Sequence, residues 1–341
     1  MPLLPLYDSS AAGDAWHQVR APGGYEWWHV DLEDARQNLR IAGDLFEGHI
    51  FHPRYLRRSA RYELWPLSCA PPTPGEFVGA AMAIYRGNQV LGKFTCHYGA
   101  GDFSASAQGL HVRIGPNEIR QDSPGQTRHL WRGTSDLGGD IEADWTLAGL
   151  WNHPPLEQKI FQEPASPSEH RWIVAPSPCV AEGKIRVGNQ TIAFSGIGYR
   201  DHRFGTACPG RGVRRWIWGR ILGKKRGLGF HIAQFSAAPG AYEATLVEAD
   251  SQGVQQRRVA SVVAGSSKHT LLGLAYPREL HLEPGVELHS ARLIEATAYR
   301  LRLAYETRVN GEEASAWCEI VYPHRLRWPG LDLWIERGIR A

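Results

Sequence analysis

Along most of the chain, apolar and polar residues alternate in short runs, and the repeat is two residues. Runs at 25–32, 39–46, 79–85, 90–98, 141–147, 183–187, 191–200, 214–222, 228–235, 244–248, 258–263, 280–282, 297–305 and 315–322 are rich in Val, Ile, Thr and aromatic side chains. Each reads as a strand. Gly, Pro, Asn and Asp clusters separate the runs every ~8–12 residues, the rhythm of a barrel or sandwich. Arg86-Gly87-Asn88, Gly188-Asn189-Gln190, Asp250-Ser251-Gln252-Gly253 and Asn310-Gly311 carry turn chemistry between such runs. Asn-Gly is the strongest of these signals, because both residues tolerate positive φ. No segment holds a capped 3.6-residue repeat for about twelve residues, so only 53–59 and 331–337 are candidates for short helical turns. The Pro-rich stretches 71–75 and 154–167 read as long loops.

A chain of 341 residues is expected to form two compact units rather than one. Tryptophan pairs open two of the strands, at 27/28 and 216/218, an echo that fits two related barrels over residues 1–205 and 206–341. Thirteen tryptophans against 2 methionines favour large rigid rings, suited to a thick β core or an aromatic-lined cavity. The formal charge is +3, from 38 basic and 35 acidic residues. The densest basic stretches, Arg214-Arg215 and Lys224-Lys225-Arg226, are short and read as solvated strand ends. Nothing in this balance asks for a nucleic-acid partner.

Cysteines stand at 69, 96, 179, 208 and 318, an odd count without a CxxC pair, which fits a reducing compartment. The N-terminal MPLLPLYDSS lacks the pattern of a secretory leader, and no apolar run approaches a membrane span. The expected location is the cytoplasm, with contact to a membrane surface where a lipid-soluble substrate would be collected.

Several common chemistries find no support. There is no GxSxG elbow. Gly196-Ile197-Gly198 lies within a β run and opens no helix, unlike a dinucleotide fingerprint. His49 and His52 are three apart, a spacing that a strand does not put on one face, and His17, His29 and His97 lie elsewhere without a Cys or carboxylate cluster. Neither a metal nor a cofactor is expected.

Three segments carry a family resemblance. They are Gly24-Tyr25-Glu26-Trp27-Trp28-His29-Val30-Asp31, then His170-Arg171-Trp172 followed by Pro176 and Pro178, then Gly196-Ile197-Gly198-Tyr199-Arg200-Asp201-His202-Arg203-Phe204-Gly205. The first is similar to a GGYxWWYxD opening strand and the third to a GxGYxDHNWG motif. Both belong to the superfamily of carotenoid 1,2-hydratases (hydroxyneurosporene synthases), which also holds lipocalin-like Diels–Alderases. Trp216-Ile217-Trp218-Gly219-Arg220 and Ala316-Trp317-Cys318-Glu319 fit the start and end of a second barrel. Arg203-Phe204 replaces the family's Asn-Trp, which puts the chain nearer the superfamily's uncharacterised bacterial branch.

The resemblance implies an all-β fold of two tandem lipocalin-like antiparallel barrels packed together, with few short helices and an interior that holds a large hydrophobic ligand. It also implies a cofactor-independent enzyme acting on a carotenoid, terpenoid or polyketide-type polyene. Acid-catalysed hydration of a C=C bond comes first. A Diels–Alderase-like cyclisation and simple lipid or pigment binding are the alternatives.

The residues admit that chemistry. On a strand, Tyr199 and Asp201 share a face, as do His170 and Trp172. If those strands meet, a carboxyl, a phenol, an imidazole and an indole converge. Protonating an alkene needs a strong, positioned acid, and the tertiary cation that results needs a π face. By resemblance, Asp201 is the acid, Tyr199 and His170 orient groups or water, and Trp172 stabilises the cation. Asp201 also reads as a buried carboxylate tied to Arg200, Arg203 or His202, an arrangement that scaffolds instead. Trp27 and His29 lie on one face of their strand and Glu26 on the other. These three, with Trp216 and Trp218, are candidates for lining the substrate site, Glu26 being either exposed or a pocket carboxylate.

Overall fold

The computed structural model describes residues 7–8, 13–161, 168–209, 212–236, 242–309 and 311–327. Strands β1 (Tyr25–Asp34), β2 (Leu39–Glu47), β3 (Val78–Arg86), β4 (Gln89–Tyr98), β5 (Phe103–Ala105), β6 (His111–Ile114), β7 (Asn117–Ser123), β8 (Gln126–Thr134) and β9 (Asp140–Gly149) begin the first sheet. It is completed by β10 (Leu156–Phe161), β11 (His170–Val174), β12 (Cys179–Val187) and β13 (Gln190–Gly205). Its order is β4-β3-β2-β1-β13-β12-β9-β8-β7-β6-β5, with β11 between β13 and β10. Strands β4 and β5 occupy opposite edges yet are joined by residues 99–102 alone. A connection that short brings the two edges together, so the sheet curls into a barrel.

The same device closes the second sheet. Its strands are β14 (Val213–Leu222), β15 (Gly227–Phe235), β16 (Tyr242–Asp250), β17 (Gly253–Arg258), β18 (Ser261–Ala264), β21 (Leu280–Glu283), β22 (Val286–Ala296), β23 (Arg300–Val309) and β24 (Glu312–Val321). The pair β19 (Ser267–His269) and β20 (Ala275–Pro277) stands apart from it. In the order β17-β16-β15-β14-β24-β23-β22-β21-β18, the edge strands β17 and β18 are separated in sequence by two residues, Val259 and Ala260. The apolar run at 258–263 is therefore not one strand. It is the crossing from one edge of the sheet to the other.

Both barrels are filled by side chains. Trp28, Val30, Leu45, Phe94, Trp131 and Trp145 pack inside the first, and Ile217, Phe230, Leu246 and Leu303 inside the second. A third cluster joins the barrels and includes Trp27, Phe46, Trp172, Tyr199, Trp216, Trp218 and Trp317. Strand alternation explains the division. On β1, Glu26, Trp28 and Val30 point into the barrel, while Tyr25, Trp27, His29 and Asp31 point out to the seam. The seam therefore buries the outer face of β1 as thoroughly as the inner one, and all but one of its residues are buried.

Two expectations about local structure are corrected. The helical turn expected at 53–59 is a 12-residue helix, α1 (Pro53–Leu64), capped by the side chain of His52, which accepts from the Arg54 N–H. Its arginine-rich face hides the period, since only Pro53, Tyr55, Leu56 and Ser59 are buried. The stretch at 154–167 contains β10, which pairs with β11, so it is not a loop throughout. The helical turn expected at 331–337 and residue Asn310 lie outside the described residues.

Candidate functional site

Strand β13 is long enough to serve three neighbours. Along one edge it pairs with β1, setting Trp27 opposite Arg203, His29 opposite Asp201 and Asp31 opposite Tyr199. Along the other it pairs first with β12 and then with β11, setting Trp172 opposite Arg203 and Val174 opposite Asp201. These residues share the face that looks onto β14 of the second barrel. The motif side chains thus meet in the seam between the barrels and not inside either one, contrary to the expectation of a ligand-filled barrel interior.

Asp201 is at the centre and is 3% exposed. Its Oδ2 accepts from Trp172 Nε1 (2.8 Å), Tyr199 OH (2.9 Å) and Arg203 Nη2 (2.7 Å). Its Oδ1 is buried with no hydrogen-bond partner. The ion-paired reading of the sequence is therefore realised, with Arg203 and not Arg200 or His202 as the partner. Arg200 turns to Asp14, and His202 to Glu26. The Arg203 guanidinium lies 5.0 Å over the Trp27 ring and 4.7 Å from the Trp218 ring, held between two indoles as a cation. Burial and the neighbouring Asp201 charge push the Tyr199 phenol well above its ordinary value, so it stays a donor.

A buried charge network surrounds this centre. His29 Nδ1 meets Asp44 Oδ1 at 2.7 Å, and its Nε2 lies 3.4 Å from Asp31 Oδ2. Burial alone would lower the His29 pKa, but the two carboxylates prevail and raise it to about 10, so the ring is an imidazolium at neutral pH. Its edge faces Trp218 with centroids 4.8 Å apart. Asp31 binds Arg220 of β14 across the seam at 2.5 Å. Arg302 of β23 binds Glu319 (2.6 Å) and accompanies Asp44 at 3.9 Å. Charges are matched along the seam, which is how so many can be buried together.

His170 sits one step away. Its Nδ1 is 3.0 Å from Tyr25 OH, and the stacked rings of Tyr25 and Trp27 connect it to Arg203. Burial lowers its pKa to about 3, so the ring is neutral. Trp172 packs closely on β15 of the second barrel because Gly229 lacks a side chain. A Cβ there would stand 2.9 Å from its ring. Trp216 is buried further along, tilted against His231 with centroids 6.5 Å apart.

Most of the residues singled out in the sequence therefore converge. Asp201, Tyr199 and Trp172 touch directly, Trp27, His29 and Trp218 ring them, and His170 and Trp216 flank. Glu26 does not join them. It points into the first barrel and accepts from the His17 backbone N–H (2.7 Å), with His17 Nδ1 at 3.1 Å and His202 Nε2 at 2.9 Å. Asp44 and Arg302 are not marked by any motif, and Arg220 lies in the Trp216–Arg220 segment, where nothing singles it out. Only the isolated charge within each apolar strand hinted at them.

His17, Glu26 and His202 also form the group of potential metal ligands found among the described residues, with ligand atoms within 4.8 Å of one another. Their mutual hydrogen bonds already occupy Glu26 Oε1. Next to them, burial and the Glu26 charge push Glu47 up to about 8, which leaves it a neutral acid that accepts from Trp16 Nε1 at 2.6 Å. His49, His52 and His97 come together as well, with rings 5.1 Å and 4.2 Å from His97. The strand-parity argument fails for them because His49 and His52 lie on the turn into α1. A small cavity of about 60 Å³ lies beside Asp14, Trp151 and Arg200, and a groove of about 940 Å³ beside Arg40, Glu287 and Tyr305. Neither borders Asp201.

Comparison with known proteins gives the site a context. The family model described as carotenoid hydratase CrtC matches residues 160–336, a span that contains β11, β12, β13 and every strand of the second barrel. A protein of Chlorobaculum tepidum named hydroxyneurosporene dehydrogenase is 24% identical over 319 residues, covering 88% of this chain and 82% of its own. Among solved structures, a protein of Nitrosomonas europaea provisionally assigned as AttH aligns with TM-score 0.65 at 15% identity, over 94% of this chain and 100% of that one. Kievitone hydratase of Nectria haematococca aligns with TM-score 0.52 at 10% identity, over 94% of this chain and 93% of its own. CghA, solved with Sch210972, gives 0.52 at 12% identity, over 92% and 95%. These structural likenesses establish the paired lipocalin-like barrels as the fold. Among the described residues, no helix is long and apolar enough to cross a membrane.

Proposed function

Because the chain belongs to the carotenoid hydratase CrtC family, we propose that it adds water to a carbon–carbon double bond of a carotenoid-type isoprenoid, without a cofactor, in the seam between its barrels. The observation that carries this reading is Asp201, a buried carboxyl with three donors on Oδ2 and none on Oδ1, set among the indoles of Trp27, Trp172 and Trp218. In the proposed cycle, a proton on Oδ1 passes to the less substituted carbon of the chain-end double bond, and the π pair becomes the new C–H bond. The tertiary cation that remains is held against an indole face, worth ~0.5–2 kcal/mol. Water adds to it through oxygen, and the surplus proton returns to Oδ1. The balance is alkene plus water giving a tertiary alcohol, with no net oxidation.

Each neighbour has a part. Trp172 and Tyr199 stabilise the anion that remains after the proton leaves, where preorganised donors do most good. Arg203 stands where the substrate cation is needed. An incoming polyene that draws its guanidinium out from between Trp27 and Trp218 frees both π faces for the substrate cation. His170 is a positioning residue that acts through Tyr25 and Trp27.

A cyclase is the second reading, favoured by the indole N–H groups of Trp27, Trp218 and Trp317, which are buried without acceptors. Donors of this kind suit a substrate carbonyl. One experiment separates the readings. The purified protein is incubated with an acyclic carotenoid in detergent, and the product mass is read. A gain of one water supports the hydratase. An unchanged mass with altered retention supports the cyclase, and loss of two hydrogens supports the chemistry named for the Chlorobaculum relative. Unreacted pigment that co-purifies with the protein supports a carrier.

A further inference from the structure

Of the nine large apolar residues that remain exposed among the described residues, five sit on two tips. The first follows α1, where Leu64 and Trp65 are each 56% exposed and Leu67 is fully exposed. Pro66 between them is exposed too, so the tip is a continuous apolar run. The second is the turn between β19 and β20, which carries Leu271 and Leu272. The tips come from different barrels, yet they are linked. Arg325 of the 3₁₀ turn Pro323–Arg327 donates from Nη1 to the Leu272 carbonyl at 2.9 Å, and that turn packs against α1.

Charge surrounds these tips with one sign in excess. Helix α1 carries Arg54, Arg57, Arg58 and Arg61, the first two and the last exposed, and Lys268 is exposed beside the second tip. In residues 53–76 the acidic side chains are Glu63 and Glu76, and Glu76 pairs with Arg58 at 2.5 Å. We propose that this end of the molecule docks on an anionic lipid surface. Leu64, Trp65, Leu67, Leu271 and Leu272 enter the boundary between headgroups and acyl chains, and the α1 arginines lie against the headgroups. The layering matches: a tryptophan with leucines at the tip, then a row of cations one helical turn behind.

The opposite face of α1 makes the location meaningful. Tyr55 and Leu56 belong to the seam cluster, and Phe51, just before the helix, stacks on Tyr299 of the second barrel at 5.6 Å. The helix therefore spans the edge of the seam, and docking sets that edge against the bilayer. The docking surface does not depend on which reaction the seam carries out.

The test is co-sedimentation of the whole chain with vesicles. Mixed phosphatidylcholine–phosphatidylglycerol vesicles should bind it at least about tenfold better than pure phosphatidylcholine. The Trp65→Ser/Leu67→Ser variant should lose about tenfold or more on the mixed vesicles, since both side chains are exposed and the fold should be unaffected. Arg57→Glu/Arg61→Glu should lose a similar factor on mixed vesicles and little on neutral ones. The proposal is overturned if the mixed vesicles do not carry the protein down, or if the tip variant binds undiminished. It is likewise overturned if sedimentation velocity shows a dimer that Trp65→Ser/Leu67→Ser dissolves, since the tip then mates with a second copy. Conversion of detergent-dispersed carotenoid should be unaffected by the tip variant, so a missing hydratase activity and a missing membrane contact are read separately.

Discussion

Asp201→Asn separates a chemical role for this carboxyl from a scaffolding one. Asparagine keeps one acceptor oxygen for Trp172 and Tyr199 but sets an amide NH₂ where Oδ1 had no partner. Arg203, 5% exposed, loses its counter-charge. Breaking a buried ion pair from one side costs ~3–5 kcal/mol, against a total stability of ~5–15 kcal/mol for a typical domain. The variant should thus fold with a clearly lowered unfolding midpoint. Removing the proton donor should slow hydration by ~10²–10⁴. The double variant Asp201→Asn/Arg203→Gln removes both charges and should regain a large part of the stability. It should regain none of the activity. Urea unfolding gives the first quantity, and the initial rate of tertiary-alcohol formation, measured well below each variant's unfolding midpoint, gives the second. A folded Asp201→Asn protein that hydrates within twofold of the wild-type rate refutes the role assigned here, and the carboxyl is then scaffold.

Trp172→Phe removes one of the three donors to Asp201 and keeps the packing on Gly229, so hydration should fall by about tenfold to a hundredfold, the worth of a hydrogen bond to a charged group; a rate unchanged in steady-state assays would separate the indole from the chemistry. Stability should peak near neutral pH. Folding takes up a proton at Glu47 between 4.5 and about 8 and at His29 between 6.5 and about 10, so the stability these groups confer is full below 4.5 and 6.5 and declines as pH rises. Burial holds His97, His129 and His170 at about 3, so their contribution is lost as pH falls from 6.5 towards 3. Glu47→Gln should flatten the decline between 4.5 and 8, and thermal unfolding across that range checks it; an unaltered slope excludes Glu47 as its source. Gly227→Ala should cost ~3 kcal/mol or more, because its Cβ would lie 1.6 Å from the Pro176 carbonyl oxygen where the barrels touch; a denaturation curve within ~0.5 kcal/mol of wild type would contradict that approach.

Much of the site was legible before the fold was known, because motif and alternation work on one strand at a time. The spacing of Tyr199 and Asp201, and of His170 and Trp172, fixes two shared faces. The first motif likewise separates Trp27 and His29 from Glu26. What alternation leaves open is which face turns inward. Alternation puts Glu26 and Trp27 on opposite sides of β1 but does not say which side meets the site, and the seam takes Trp27 while Glu26 turns into the first barrel. The full length of α1 is hard to read in the sequence because arginines take half of its positions that are not buried, and only one narrow face meets the seam.

The sequence by itself determined the β architecture, the pairing of two barrels and the short list of chemically able side chains, since these follow from local period, turn residues and motif. Tertiary structure alone decided that both barrel interiors are filled and that the motif side chains meet in the seam between them. It also decided that Asp201 takes Arg203 as its partner while His29 is charged by Asp44 and Asp31. The physical reason is that protonation state and burial depend on neighbours far apart in sequence. Arg220 reaches Asp31 across 189 positions of chain, a contact that no local pattern encodes.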